Sequence, residues 1–284
     1  MHCSLNRADY ALIGLAAPTQ NGAVTQYSKA LAGCQPGMVR RVYDASRSLL
    51  HGLFPPSCYL CLDPGQPPAF ELCRGCEGDL PANGPACPGC AAPVAETGAR
   101  CAACLARPRA FDAAFVPYRY EFPIAELIHR FKYRGQISLS RILGTLLGRR
   151  LAGRGRPPVD AILPVPLHPA REARRGYNQA REIAVFAAEL LGLPVHAGLA
   201  RRVRATEEQA ALPAIARAAN VSGAFEVATR VPPLRVAIVD DVLTTGATAE
   251  SLARALHNAG CRHVEVWAVA RAAGIADAAQ PPAP

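Results

Sequence analysis

The residues with most chemistry to offer stand together in Val236-Ala-Ile-Val-Asp-Asp-Val-Leu-Thr-Thr-Gly-Ala-Thr248. The apolar, branched run reads as a buried strand that delivers two adjacent carboxylates, Asp240 and Asp241, at its carboxyl end. A small, hydroxyl-rich loop of Thr244, Thr245, Gly246, Ala247 and Thr248 follows, and a helical pattern begins after it. Backbone N–H groups at a helix start are unpaired and sit at the positive end of its dipole, which suits a phosphate monoester. Gly246 lets the loop backbone approach such an anion, and the threonine hydroxyls add donors. Two acids would repel a bare phosphate, so Asp240 and Asp241 are expected to face ribose hydroxyls, directly or through a hydrated Mg2+. The plainer alternative makes Asp241 a helix N-cap and Asp240 an ordinary strand-end acid. The full combination points to a sugar phosphate held with a divalent metal, and in particular to phosphoribosyl diphosphate.

A second chemistry lies in four successive Cys-x-x-Cys pairs: Cys58/Cys61, Cys73/Cys76, Cys87/Cys90 and Cys101/Cys104. A two-residue spacer folds into a knuckle that aims both thiolates at one metal, and two knuckles complete a tetrahedron. Eight cysteines therefore suit two zinc ions. Disulfides compete with this reading, but no secretory signal is visible, which fits a reducing, cytoplasmic compartment. Redox pairs usually occur singly, and iron–sulfur ligation lacks its compact spacing. Sequential ribbons and a cross-braced pairing both remain open. In either case four thiolates leave no coordination position for catalysis, so the expected role is structural, with the metal supplying folding energy.

These groups need a scaffold. At 284 residues, half of them hydrophobic, the chain can hold one sizeable α/β domain and a small accessory module. No apolar run approaches the length of a membrane span. The formal charge of +9 favours anionic partners, either nucleic acid or phosphorylated metabolites. Cations gather without an acid from Arg130 to Arg156, and Arg171, Arg174 and Arg175 precede Gly176 in an expected turn near a strand end. The first group reads equally as a solvated face.

Residues 1–37 show no periodicity and are expected to be disordered, or to precede a true start at Met38; a helix is expected over 38–57. The cysteine module spans 58–108, an α/β domain 109–275, and a disordered tail 276–284. Phe111–Tyr120 alternates as a strand, and Pro123 opens a helix with Ile124, Leu127, Ile128 and Phe131 on its apolar stripe. Further helices are expected at Leu139–Leu151, Asn178–Leu191 and Thr248–Ala259, and strands at Asp160–Leu163, Pro194–Leu199, Val236–Val239 and Val264–Ala270. Helices alternating with short apolar strands imply a mostly parallel sheet covered on both faces, with ligands beyond the carboxyl ends of its strands.

No P-loop, Rossmann fingerprint, nucleophile elbow or His-Glu-x-x-His motif occurs. Val236–Thr248 instead resembles the signature of type I phosphoribosyltransferases. Leu127–Gly135, Pro164–His168 with Arg175–Gln179, and Thr206–Phe225 narrow the resemblance to the ComF family, over roughly Val39 to Ala270. The chain has Tyr177 where that family often has Phe, and Ala91 where a Gly often follows the third knuckle. The resemblance implies an α/β type I phosphoribosyltransferase fold, a mostly parallel sheet with flanking helices, preceded by a double zinc ribbon. It implies a pyrophosphate loop at Val165, Pro166, Leu167 and His168 assisted by Arg171 or Arg175, with Lys132 approaching the same anion. It implies a mobile flap carrying Gln209, Arg217 and Asn220. The implied ligands are phosphoribosyl diphosphate with Mg2+ and two structural zinc ions, and the implied setting is DNA uptake or use of external DNA. Catalysis would make Asp240, Asp241 and Lys132 central, displacing pyrophosphate toward an acceptor that the sequence does not identify. The alternative is a non-catalytic module that senses the sugar diphosphate or binds single-stranded DNA through its zinc ribbons and arginines.

Overall fold

In the computed structural model, the described residues are 56–67, 69–155, 158–204, 223–227 and 234–272. The helix expected over 38–57, the flap residues Gln209, Arg217 and Asn220, and both expected disordered ends lie outside them, apart from the last two positions of that helix. The chain divides into two compact units, Met1–Gly78 and Asp79–Pro284.

One local motif is built twice. In the first unit the Cys58 N–H donates to the Asp63 carbonyl (2.6 Å) and the Leu62 N–H to the Cys58 carbonyl (2.9 Å). In the second unit Cys87 donates to Ala92 and Ala91 to Cys87, both at 2.8 Å. Each turn is closed by a short antiparallel bridge, Ser57 with Pro64 and Ala86 with Pro93. Each is followed by a one-turn helix: α1 (Arg74–Gly78) in the first unit and α2 (Ala102–Ala106) in the second. Closing the knuckle forces the residue after its second cysteine into the left-handed region, with φ of 68° at Leu62 and 56° at Ala91. That conformation strains an L-residue, and Leu62 is 78% exposed, so its side chain gains nothing in return. Leu62→Gly is therefore expected to stabilise the first ribbon by about 0.5–1 kcal/mol, left-handed relief minus glycine entropy. Titration of that zinc centre with a competing chelator would read the gain, and a weaker hold than wild type would refute the strain argument. At Ala91 the methyl is buried, so the same exchange removes as much as it relieves.

The rest of the second unit is a parallel sheet. Its outer position is shared by β1 (Ala113–Phe115) and β2 (Tyr118–Arg119), which both pair with β7 (His263–Arg271). Beyond β7 come β6 (Arg235–Leu243) and then β3 (Ala161–Pro164), all parallel. The strand expected over Phe111–Tyr120 is thus interrupted, because Pro117 has no N–H to give a ladder. Every residue from Val264 to Arg271 is buried, as expected of a central strand covered on both faces. The strand expected at Pro194–Leu199 is reduced to a single bridge between Val195 and Ile162. Pairing resumes at β4 (Ala200–Arg202), antiparallel to β5 (Phe225–Val227).

Helix α3 (Ile124–Tyr133) buries the expected stripe of Ile124, Leu127, Ile128 and Phe131. Helix α4 (Leu139–Ala152) packs tightly on α6 (Gln179–Leu191) because Gly144 and Gly148 lie at the contact. A Cβ on Gly144 would stand 2.5 Å from the Ile183 carbonyl oxygen. The expected turn around Arg171–Arg175 is a helix, α5 (Pro169–Arg175), ended by Gly176 at φ 84°. Helix α7 (Ala247–Asn258) follows β6 directly. Among the described residues, no helix is long and apolar enough to cross a membrane.

Candidate functional site

Strand β6 continues four residues past the expected end at Val239, paired with β7 as far as Leu243. The two acids therefore lie within the strand. The Gly246 backbone, at φ 79°, caps α7, so Asp241 is free of the N-cap role considered above. A methyl at Gly246 would find ordinary space, 3.8 Å from Leu243 and Phe111, so the requirement there is the left-handed turn rather than close approach. Asp241 is buried, and its Oδ1 lies 2.8 Å from Lys132 Nζ on α3. Lys132 thus carries a direct carboxylate bond within the site. Burial works to lower the Lys132 ammonium, but Asp241, with Asp240 behind it, outweighs this and holds it above the ordinary lysine value. Asp240 goes the other way. Burial, then the neighbouring Asp241 charge, push its carboxyl up to about 7.

Both carboxylates open on one cleft of about 360 Å³, which Thr244 and Thr248 also line. Its cations are Lys132, Arg171, Arg175 and Arg202, and of the expected loop residues Val165 and Leu167 line it. Pro166 is buried outside this lining. His168 also lies outside it: its Nδ1 accepts from the Ala170 N–H at 3.3 Å, capping α5. Thr245 and Ala247 face a second cavity, of about 330 Å³, together with Arg109 and Glu250. Two arginines take carbonyls of the loop. Arg271 donates to Leu243 (3.2 Å) and Thr244 (2.8 Å), and Arg109 donates to Thr245 (3.4 Å).

The eight expected cysteines form two groups, Cys58/61/73/76 and Cys87/90/101/104, with the sulfurs of each within 4.8 Å of one another. The ribbons are therefore sequential. The Cys61–Cys73 and Cys90–Cys101 sulfurs are 3.7 and 3.5 Å apart. A tetrahedron of ~2.3 Å zinc–sulfur bonds has edges of about 3.8 Å, so both groups fit the ion. The electrostatics agree. Burial would raise Cys58 and Cys87, yet backbone N–H groups bring them to about 6 and about 7. Burial and then neighbouring thiols hold Cys76 far above the ordinary value. A bound cation would offset that rise.

A stretch of 208 residues, 71% of this chain and 90% of the relative, is 34% identical to Competence protein F of Haemophilus influenzae. The chain belongs to the ComF family. Residues 49–105 match the Double zinc ribbon domain. DNA utilization protein YhgH of Salmonella typhi is 37% identical over 158 residues, 54% of this ComF-family chain and 69% of the relative. A purine phosphoribosyltransferase from Pyrococcus horikoshii matches 50% of this chain and 90% of its own, at 17% identity and a TM-score of 0.28.

Several cleft residues of this ComF-family chain carry no signal in the sequence. Arg202 is buried over the Phe225 ring (5.5 Å), and burial, then Arg171, lower its pKa. Tyr120 and Tyr133 form an aromatic rim, with Arg175 stacked 5.3 Å over the Tyr133 ring and bonded to Gln179 (3.0 Å). Asn178 was legible only as a helix start. Its carbonyl oxygen caps α6 while its amide donates to the Val165 carbonyl (3.0 Å), tying that loop to the helix. The departure at Tyr177 has a use here: its hydroxyl donates to the Phe131 carbonyl, next to Lys132.

Proposed function

We propose that this chain binds phosphoribosyl diphosphate in the cleft and acts as a phosphoribosyltransferase-type protein of DNA uptake or DNA utilisation. The observation that carries this reading is one cleft lined both by the acids and hydroxyls of Asp240, Asp241, Thr244 and Thr248 and by the cations Lys132, Arg171, Arg175 and Arg202. Thr244, Thr248 and the start of α7 would hold the 5′-phosphate, while Asp240 and Asp241 would take the ribose hydroxyls. Arg171, Arg175 and Arg202 would receive the pyrophosphate and stabilise its charge as the C1–oxygen bond breaks. The carboxylate pair fits Mg2+, which when bound supplies charge neutralisation for the diphosphate. The names of the relatives support the setting, since one is a competence protein and another a DNA utilisation protein.

Calorimetry of the zinc-loaded chain with phosphoribosyl diphosphate and Mg2+ tests this. Saturable binding lost on Asp240→Asn with Asp241→Asn is expected; an absence of binding to the folded wild type would overturn it. Asp240 adds a pH signature. Its raised pKa means that the empty protein gains stability from the bound proton. That gain is complete below the ordinary value of 3.8 and lost as pH rises through about 7. A ligand that needs the carboxylate must displace this proton. Affinity is therefore expected to rise about tenfold per pH unit below 7 and to level above it. Titrations between pH 5.5 and 8 should show that slope in the wild type and its loss in Asp240→Asn.

A second reading, single-stranded DNA binding, draws on exposed aromatics. Phe122 is 80% and Tyr133 58% exposed, and Arg119, Arg130 and Arg134 are close in sequence. A salt-dependent DNA affinity that survives both aspartate changes would favour it.

A further inference from the structure

The second cavity joins two features that the sequence keeps apart. One wall comes from the second ribbon, through Ala103, Arg107 and Arg109; the other comes from Thr245, Ala247 and Glu250. Arg109 reaches both sides. Its guanidinium lies beside the Cys104 side chain, a member of the second cysteine cluster, and its Nη1 donates to the Thr245 carbonyl at 3.4 Å. The next residues continue the connection. The Ala110 N–H donates to Glu250 Oε1 on α7 (3.2 Å), and the Phe111 ring packs against Gly246. Hydrogen bonds to a ligating thiolate orient the ligand and tune its hold on the metal. A planar guanidinium is suited to bridging two acceptors at once, which an ammonium at the end of a flexible stem does poorly.

We propose that Arg109 couples the second zinc centre to the loop Thr244–Thr248, so that zinc held by Cys87, Cys90, Cys101 and Cys104 and a phosphomonoester held by the loop strengthen each other. Arg109 is here a positioning residue: it acts on the ligand through the Thr245 carbonyl and on the metal through Cys104. The proposal rests on the reading of that loop as a phosphate site.

The test uses the full chain with both zinc ions bound, ribose 5-phosphate as the probe, and equilibrium competition with a zinc chelator. Saturating ribose 5-phosphate is expected to raise the affinity of one of the two ions about fivefold, at the low end for coupling between sites, and to leave the other unchanged. Arg109→Ala should abolish that shift and weaken ribose 5-phosphate binding by about the same factor, since such coupling is reciprocal. Arg109→Lys, which keeps the charge but loses the bridge, should retain both zinc ions with a smaller shift, and it carries the test if the alanine variant fails to fold. Arg74→Ala, beside the first cluster, should behave as wild type. Binding of ribose 5-phosphate without a shift in zinc affinity, a shift that persists in Arg109→Ala, or one of full size in Arg109→Lys, would overturn the coupling alone. A wild-type chain that does not bind ribose 5-phosphate would remove the phosphate-loop reading and the coupling with it.

Discussion

Lys132→Met is expected to destabilise the sheet-bearing unit by about 3 kcal/mol, the lower end for breaking a buried ion pair by removing one partner. The change leaves Asp241, with a side chain 7% exposed, without the ammonium now 2.8 Å from it. The Lys132 side chain is itself 21% exposed, which admits some water and sets the estimate at that lower end. Asp241→Asn in the same chain removes the orphaned charge, so the double variant should recover most of the loss. Trp267, the one tryptophan, is fully buried on β7 and reports unfolding of this unit in denaturant. A double variant as unstable as Lys132→Met would show that the lysine matters through packing alone. Both variants should also abolish the proposed binding of the sugar diphosphate, because the pair sits in the cleft wall.

The two zinc centres should differ more than their sequences do. Cys87, Cys90 and Cys104 are buried, whereas in the first cluster only Cys58 is. The second cluster also shares its compact unit with the parallel sheet. Structural zinc contributes on the order of 10 kcal/mol in small modules, so Cys90→Ser should remove one zinc and lower the melting temperature seen by Trp267 by about 10 °C or more. Cys61→Ser should remove one zinc and leave that transition where it was. Zinc content by atomic absorption and a thermal scan of tryptophan fluorescence distinguish the two. Equal shifts from both variants would contradict the division into units.

What was legible in the sequence depended on local chemistry. The cysteine spacing named both ligand sets, because a knuckle is closed within a few residues. The strand and glycine loop at Val236–Thr248 were legible for the same reason, as was the apolar stripe of α3. What escaped needed the third dimension. Lys132 and Asp241 are brought together from different elements, so their bond left no trace in either segment. Arg202 looks like any exposed arginine beside Arg201 until β4 and β5 pair. The boundary of β6 lies beyond the two acids because pairing with β7 outweighs their poor strand propensity. Pro194–Leu199 has the composition of a strand but neighbours only Ile162 through one bridge.

The interrupted strand β1/β2 lies at the outer margin of the sheet, and its free side is covered by the chain leading into and through the second ribbon. The Ala114 N–H donates to the Pro88 carbonyl and the Arg119 N–H to Pro81, both at 2.8 Å, while Ala82 bridges Tyr118. Asn83 fastens this cover by donating from its side chain to both Ala91 and Val116 carbonyls. Open strand margins are templates for a second chain. Loss of zinc from the second ribbon is therefore expected to uncover backbone donors and acceptors, so that zinc-depleted protein associates edge to edge below its melting temperature, which light scattering would check.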